Sequence, residues 1–183
     1  MALLTPYSKV PELNTATILL IENEEQLQSK LANVIVQYEK EFNVNVRLAR
    51  KLPLPVENKE SRPRIDLIVF IVNLLSERSL QSVESSLSHL HSDCFLGKLC
   101  FLVTDARCGS HTQDRLVSVR KLAASHHCPV LFAEHRTADG VHAASMRLLS
   151  ILKVSAGMSP IPTTALYLST LTRCSATSEQ EED

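Results

Sequence analysis

The run Ile65 to Asn73, I-D-L-I-V-F-I-V-N, constrains this chain more than any other stretch. Its β-branched and aromatic residues follow one another without the apolar–polar alternation of a strand that has one wet face. The segment therefore predicts a strand covered on both faces, in the middle of a parallel sheet with helices above and below. Thr17 to Ile21, Leu99 to Thr104 and Val130 to Ala133 share that character, and each precedes a segment of helical period. Strands alternating with helices predict an α/β fold: a doubly wound, mostly parallel sheet in a three-layer α/β/α arrangement.

Taken in order, residues 1–14 contain Pro6 and Pro11 and no clear period, which predicts an N-terminal arm. After Glu22-Asn23-Glu24 a helix is expected, with Leu27, Leu31, Val34, Ile35 and Tyr38 on one stripe and acids in its first turn. Asn43 to Leu48 alternates strictly, as a strand near a sheet edge does. Lys51 to Arg64 holds Pro53, Pro55 and Pro63 among charges and reads as a loop. Leu80, Val83, Leu87 and Leu90 share one face of a second helix. Leu116, Val119 and Leu122 mark a third within Asp114 to Ser125, and Val141, Ala144, Leu148, Ile151 and Leu152 a fourth from Ala138 to Val154. Gly157 to Pro160 stops the fourth helix, Pro162 opens a short further one through about Arg173, and the acidic, serine-rich end predicts disorder. The expected division is an arm over 1–14, a single α/β domain over 15–173 that includes the last helix, and a disordered tail over 174–183.

A length of 183 residues suits one domain with a substantial core. The 19 basic residues are scattered through a chain of net charge -1, which offers no stripe for nucleic-acid phosphates. The longest apolar run, Leu67 to Val72, is about a third of the roughly 20 residues a membrane-spanning helix needs. No secretory leader or lipidation box is evident, so an intracellular location is expected. Five cysteines, Cys94, Cys100, Cys108, Cys128 and Cys174, are odd in number and show no C-x-x-C spacing, so reduced thiols are expected, with Cys100 in the core. His89, His91, His126 and His127 lack the spacing of metal ligands and read as surface residues, and no metal site is expected.

In open α/β sheets, ligands bind beyond the carboxyl ends of the strands. Those positions here are Glu22, Asn73, Asp105 and Glu134. A nucleotide site needs a glycine-rich turn after the first strand, so that backbone amides can wrap the phosphates, and a lysine to meet their charge. The corresponding E-N-E-E-Q-L-Q-S-K has no glycine and sets Glu22, Glu24 and Glu25 where a polyphosphate would sit. A carboxylate-and-Mg²⁺ receiver site would suit Glu22 and Thr104, but the third strand ends in Asn73 where an aspartate must accept phosphate, and the fifth offers Glu134 in place of lysine. A nucleophile-elbow hydrolase lacks its G-x-S-x-G. Each acid is expected to be a solvated residue at a strand or helix end.

The order of elements resembles a Ras-type small GTPase. Val69 to Asn73 followed by Ser79-Leu80 is similar to that family's strand and following helix start. Phe101 to Thr104 resembles the strand before its N-K-x-D motif, and Pro129 to Phe132 the strand before its S-A-K motif. The resemblance implies a small-GTPase-like fold with a degenerate nucleotide site. Glu22 and Leu27 stand where the phosphate-loop glycines fall, Gln28 where its lysine falls, and Ser29 alone remains. N-K-x-D becomes Asp105-Ala106-Arg107-Cys108, S-A-K becomes Glu134-His135-Arg136, and no D-x-x-G lies between Leu48 and Ile65.

Leu13 to Leu20, Lys51 to Pro55, Arg62 to Phe70 and Phe95 to Leu102 resemble a degenerate branch of that family found in the inner kinetochore, within the constitutive centromere-associated network. That resemblance implies a pseudo-GTPase that serves as a non-catalytic structural subunit in the nucleus, with no cofactor, nucleotide, membrane or direct nucleic-acid contact, and with centromere proteins H, I and K as partners. The alternatives are a residual nucleotide-dependent switch and a receiver-like Mg²⁺-binding domain. Candidate partner-binding residues are Phe95 and Leu96, apolar in a short helix-to-strand connection, and Leu166, Tyr167 and Leu171 of the last helix, whose apolar residues spread over more than one stripe.

Overall fold

The computed structural model describes residues 3–6, 10, 12–55, 64–106 and 109–158. The strands are β1 (Thr15–Ile21), β2 (Asn43–Ala49), β3 (Leu67–Asn73), β4 (Leu99–Thr104) and β5 (Val130–Ala133), and the helices α1 (Gln28–Tyr38), α2 (Glu77–Leu87), α3 (Ser110–Ser125) and α4 (Ala138–Ser155). The five strands form one sheet in the order β2-β1-β3-β4-β5 with every pairing parallel, so the strand that the sequence places at the centre is central. The expected α/β doubly wound architecture is present, and its sheet is parallel throughout the described residues.

Parallel neighbours need crossovers, and the crossover helices cover both faces. On one face Leu31, Ile35, Leu148 and Leu152 of α1 and α4 pack on Ile18, Leu20, Val69 and Ile71. On the other, Val83, Leu87, Leu116 and Val119 of α2 and α3 pack on Leu19, Ile68, Phe70 and Phe101. Phe70 and Phe101 are register partners whose rings stack at 6.0 Å between centroids. Each fully buried side chain of this size contributes roughly 1.5–3 kcal/mol relative to exposure, so continuous apolar strands are what this sheet requires. The edge strand β2 keeps its alternation through Arg47, with Asn43, Asn45 and Arg47 exposed, and loses it at Leu48, which the sequence placed on the covered face and which is exposed as well.

Several expectations shift. α1 begins at Gln28, later than the sequence suggests, and its first turn holds no acid. The backbone of Glu25 is left-handed at φ 53°, which keeps the segment after Ile21 out of the helix. Tyr38, expected on the buried stripe, is exposed and meets His142 edge-on at 4.6 Å. α2 ends at Leu87, and buried Leu90 leaves the helix to pair with the N-terminal arm. The short helix expected after Pro162 and the tail lie outside the described residues.

Both ends of the described chain attach to the connection between α2 and β4. Leu4 donates its amide to the His89 carbonyl at 2.8 Å and accepts the His91 amide at 3.0 Å. At the other end, the Ser155 hydroxyl donates to the Gly97 carbonyl at 2.8 Å, and the buried Lys98 ammonium donates to the Ser155 carbonyl at the last turn of α4.

Candidate functional site

The carboxyl ends of β1, β3, β4 and β5 bring together the residues named from sequence. Glu22 leaves β1 with its amide bonded to the Ala49 carbonyl at 3.0 Å, and its side chain turns back onto the start of α1. The carboxylate accepts the Leu27 amide at 2.8 Å and the Gln28 amide at 2.7 Å, and only 6% of the residue is exposed. The expectation of a solvated acid is wrong here. Helix N-terminal amides have no intrahelical partner and carry partial positive charge, and a buried carboxylate one turn away satisfies both needs.

Of the other degenerate phosphate-loop positions, Leu27 and Gln28 are buried and Ser29 is exposed. Gln28, where the resemblance puts the lysine, has a buried Oε1 with no hydrogen-bond partner among the described residues. Glu24 is exposed. Glu25 receives the Arg50 guanidinium in two bonds, at 2.5 and 2.8 Å, and these hold its carboxyl below the usual range. Arg50 follows β2 directly and so reaches the turn after its neighbour β1; no motif or period in the sequence singles it out.

An ion pair joins the positions that the resemblance gives to N-K-x-D and S-A-K. Asp105, left-handed at φ 58° with its side chain 5% exposed, lies 3.1 Å from Arg136 Nη2 and 3.7 Å from His135 Nδ1. Glu134 accepts the Arg136 amide at 3.1 Å and is exposed, as expected. Asp105 is not, because its side chain points at the β5–α4 connection. Asn73, at the end of β3, donates its amide to the Ser79 hydroxyl at 3.0 Å and accepts the Leu75 amide on its side-chain oxygen at 2.9 Å. Each of these polar groups is engaged by its own turn or by the adjoining connection.

The clefts that open near Thr15 and Asn45, of about 40 and 450 Å³, lie at the opposite end of the sheet. Among the described residues no cluster of three His, Cys, Asp or Glu side chains could hold a metal ion. Burial pushes the Cys94 thiol up to about 11 and that of Cys128 to about 12, and raises Cys100 as well, so none supplies a thiolate at neutral pH. His126, expected at the surface, is half-buried and stacks on Phe95 at 4.5 Å. Leu96, which follows Phe95 in the chain, is 74% exposed. Leu166, Tyr167 and Leu171 lie outside the described residues.

Comparison with known proteins gives a single answer. The family model described as Centromere protein M matches residues 1–175. The chain is 85% identical over 183 residues to centromere protein M of Danio rerio, covering all of this chain and 98% of that protein. It is 44% identical to the Bos taurus protein of that name over 182 residues, covering 100% of this chain and 99% of that one. To the Homo sapiens protein it is 42% identical over 175 residues, 96% of each. With the family model spanning nearly its whole length, the chain belongs to the centromere protein M family.

Proposed function

We propose that the chain is a non-catalytic structural subunit of the inner kinetochore, a pseudo-GTPase that works by binding protein partners. It is a centromere protein, located in the nucleus at the centromere and kinetochore. The observation that carries the non-catalytic reading is the Glu22 carboxylate on the Leu27 and Gln28 amides. A phosphate brought to those amides would meet a buried negative charge, and Gln28 offers it no cation. Like charges at contact distance in a partly buried site cost about several kcal/mol.

Purified protein is expected to bind neither GTP nor GDP, and Gln28→Lys alone is expected to create no site because the carboxylate stays in place. Saturable binding of a fluorescent guanine nucleotide at micromolar concentration would overturn the reading.

Its partners in this reading are centromere proteins H, I and K, and its docking surface includes Phe95 and Leu96 together with Leu166, Tyr167 and Leu171. Support comes from Leu96, a large apolar side chain in water beside a half-buried Phe95. Leu96→Ala combined with Leu166→Glu is expected to abolish co-purification with those partners while the melting temperature stays near that of the parent protein. Binding by a folded double variant would place the surface elsewhere.

A further inference from the structure

Glu22 does more than crowd a vacated site. Its Oε2 accepts two successive amides, Leu27 at 2.8 Å and Gln28 at 2.7 Å, and its Oε1 reaches the Leu27 amide at 3.1 Å. An anion held by consecutive amides at the mouth of an 11-residue helix is the bonding pattern through which such turns hold a phosphate. Here the anion is covalently part of the turn.

Two further features fit a turn ordered by its own carboxylate. Gln28 is 2% exposed in the first turn of α1, its Oε1 has no hydrogen-bond partner among the described residues, and its amide side chain brings no cation to the turn. Glu25, left-handed at φ 53°, is held by both of its bonds to Arg50, so a nearby guanidinium is already engaged by a residue of the same turn. Ordering this segment costs backbone entropy and left-handed strain, which in a nucleotide-binding turn the ligand offsets.

We propose that Glu22 is a built-in ligand: its carboxylate occupies the amide cradle after β1 that a phosphate would otherwise fill, ordering the turn without nucleotide and closing it to one. This rests on the nucleotide-free reading above and supplies its physical cause. Removing the carboxylate vacates the cradle, and a small inorganic anion can then replace it.

The test compares thermal melting of the full chain and of Glu22→Ala in chloride, phosphate and pyrophosphate at matched ionic strength. In chloride the variant is expected to melt about 3–10 °C lower, the shift that loss of a buried charged cap gives in a chain of this size. Phosphate or pyrophosphate at about 10 mM, well above a millimolar dissociation constant, is expected to restore at least half of that loss while leaving the parent protein within about 1 °C. A variant that melts with the parent, or a parent stabilised by phosphate as much as the variant, overturns the proposal. Should Glu22→Ala fail to fold, amide exchange in the parent decides. Protected Leu27 and Gln28 amides support the built-in ligand, and amides exchanging at the rate of an open loop overturn it. Guanine nucleotide binding by the parent would refute the nucleotide-free reading itself. A parent that ignores nucleotide, with a variant that ignores anions, removes only the built-in ligand.

Discussion

Asp66 accepts the backbone amide of Thr17 on Oδ2 at 2.9 Å, so a side chain at the entrance of β3 completes the bonding of β1. Its other oxygen takes the Arg64 guanidinium at 2.9 Å, and both Asp66 and Thr17 are buried. Asp66→Ala leaves a buried amide without its acceptor and Arg64 without this counter-charge. Breaking a buried pair from one side costs about 3–5 kcal/mol. Urea unfolding should show a loss of that size, with a smaller one for Asp66→Asn, whose side-chain oxygen can still accept Thr17. A loss below about 1 kcal/mol, the value of a surface pair, would show that the site is wet.

Lys98 gives a prediction about pH. Burial holds its ammonium below the usual lysine value of 10.5; the Asp66 carboxylate opposes that shift, and Arg64 adds to it. A base whose folded value is lowered holds fewer protons in the fold than in the unfolded chain between the two values. Stability therefore rises with pH across that window, and the penalty is present in full below it. The stability of the parent relative to Lys98→Met should climb as the pH rises toward the ordinary lysine value of 10.5, measured by denaturant titration at each pH. A flat or falling difference would show an ammonium that is not desolvated.

Gly140 lies in the first turn of α4, where a Cβ would stand 2.3 Å from the Glu134 carbonyl oxygen and 2.8 Å from the Thr137 hydroxyl oxygen that caps the helix. Alanine normally stabilises a helix by up to about 1 kcal/mol over glycine. Here the close approach reverses the sign. Gly140→Ala should destabilise by about 1–3 kcal/mol, because the start of α4 must move off the end of β5. A rise in melting temperature would contradict the packing of that corner.

Val69 is fully buried in β3 with neighbours on both sides of its strand. Val69→Asp places an unpaired charge there, at a cost that is a large part of the roughly 5–15 kcal/mol a domain has in total. The variant should be insoluble or lack a cooperative melting transition by circular dichroism. Normal melting would refute the central position of the strand.

The sheet was legible in the sequence because continuous apolar runs at Ile65 to Asn73 and Leu99 to Thr104 leave a strand no wet face, and because β2 shows its edge position by alternation. Helix faces were legible where the period is clean, as at Leu31 and Ile35. They failed at Tyr38, since a tyrosine at the end of a helix can rest on a neighbour such as His142 with its ring in water. At the site, sequence located the acids but misjudged Glu22 and Asp105. A buried acid is legible only through its partners, and those are two backbone amides in one case and His135 and Arg136, 30 and 31 positions away, in the other. Periodicity carries no trace of either.

The attachment of Leu4 and Ser155 to one connection has a mechanical consequence. Residues 89–98 hold both the N-terminal arm at Leu4 and the exit of the last described helix, through His89, His91, Gly97 and Lys98. Tension applied between those two ends follows the shortest bonded route. It crosses this ten-residue segment and leaves the strand pairs of the sheet unloaded, so the first contacts to yield are the bonds of Leu4 and of Ser155, while the sheet keeps its register under load.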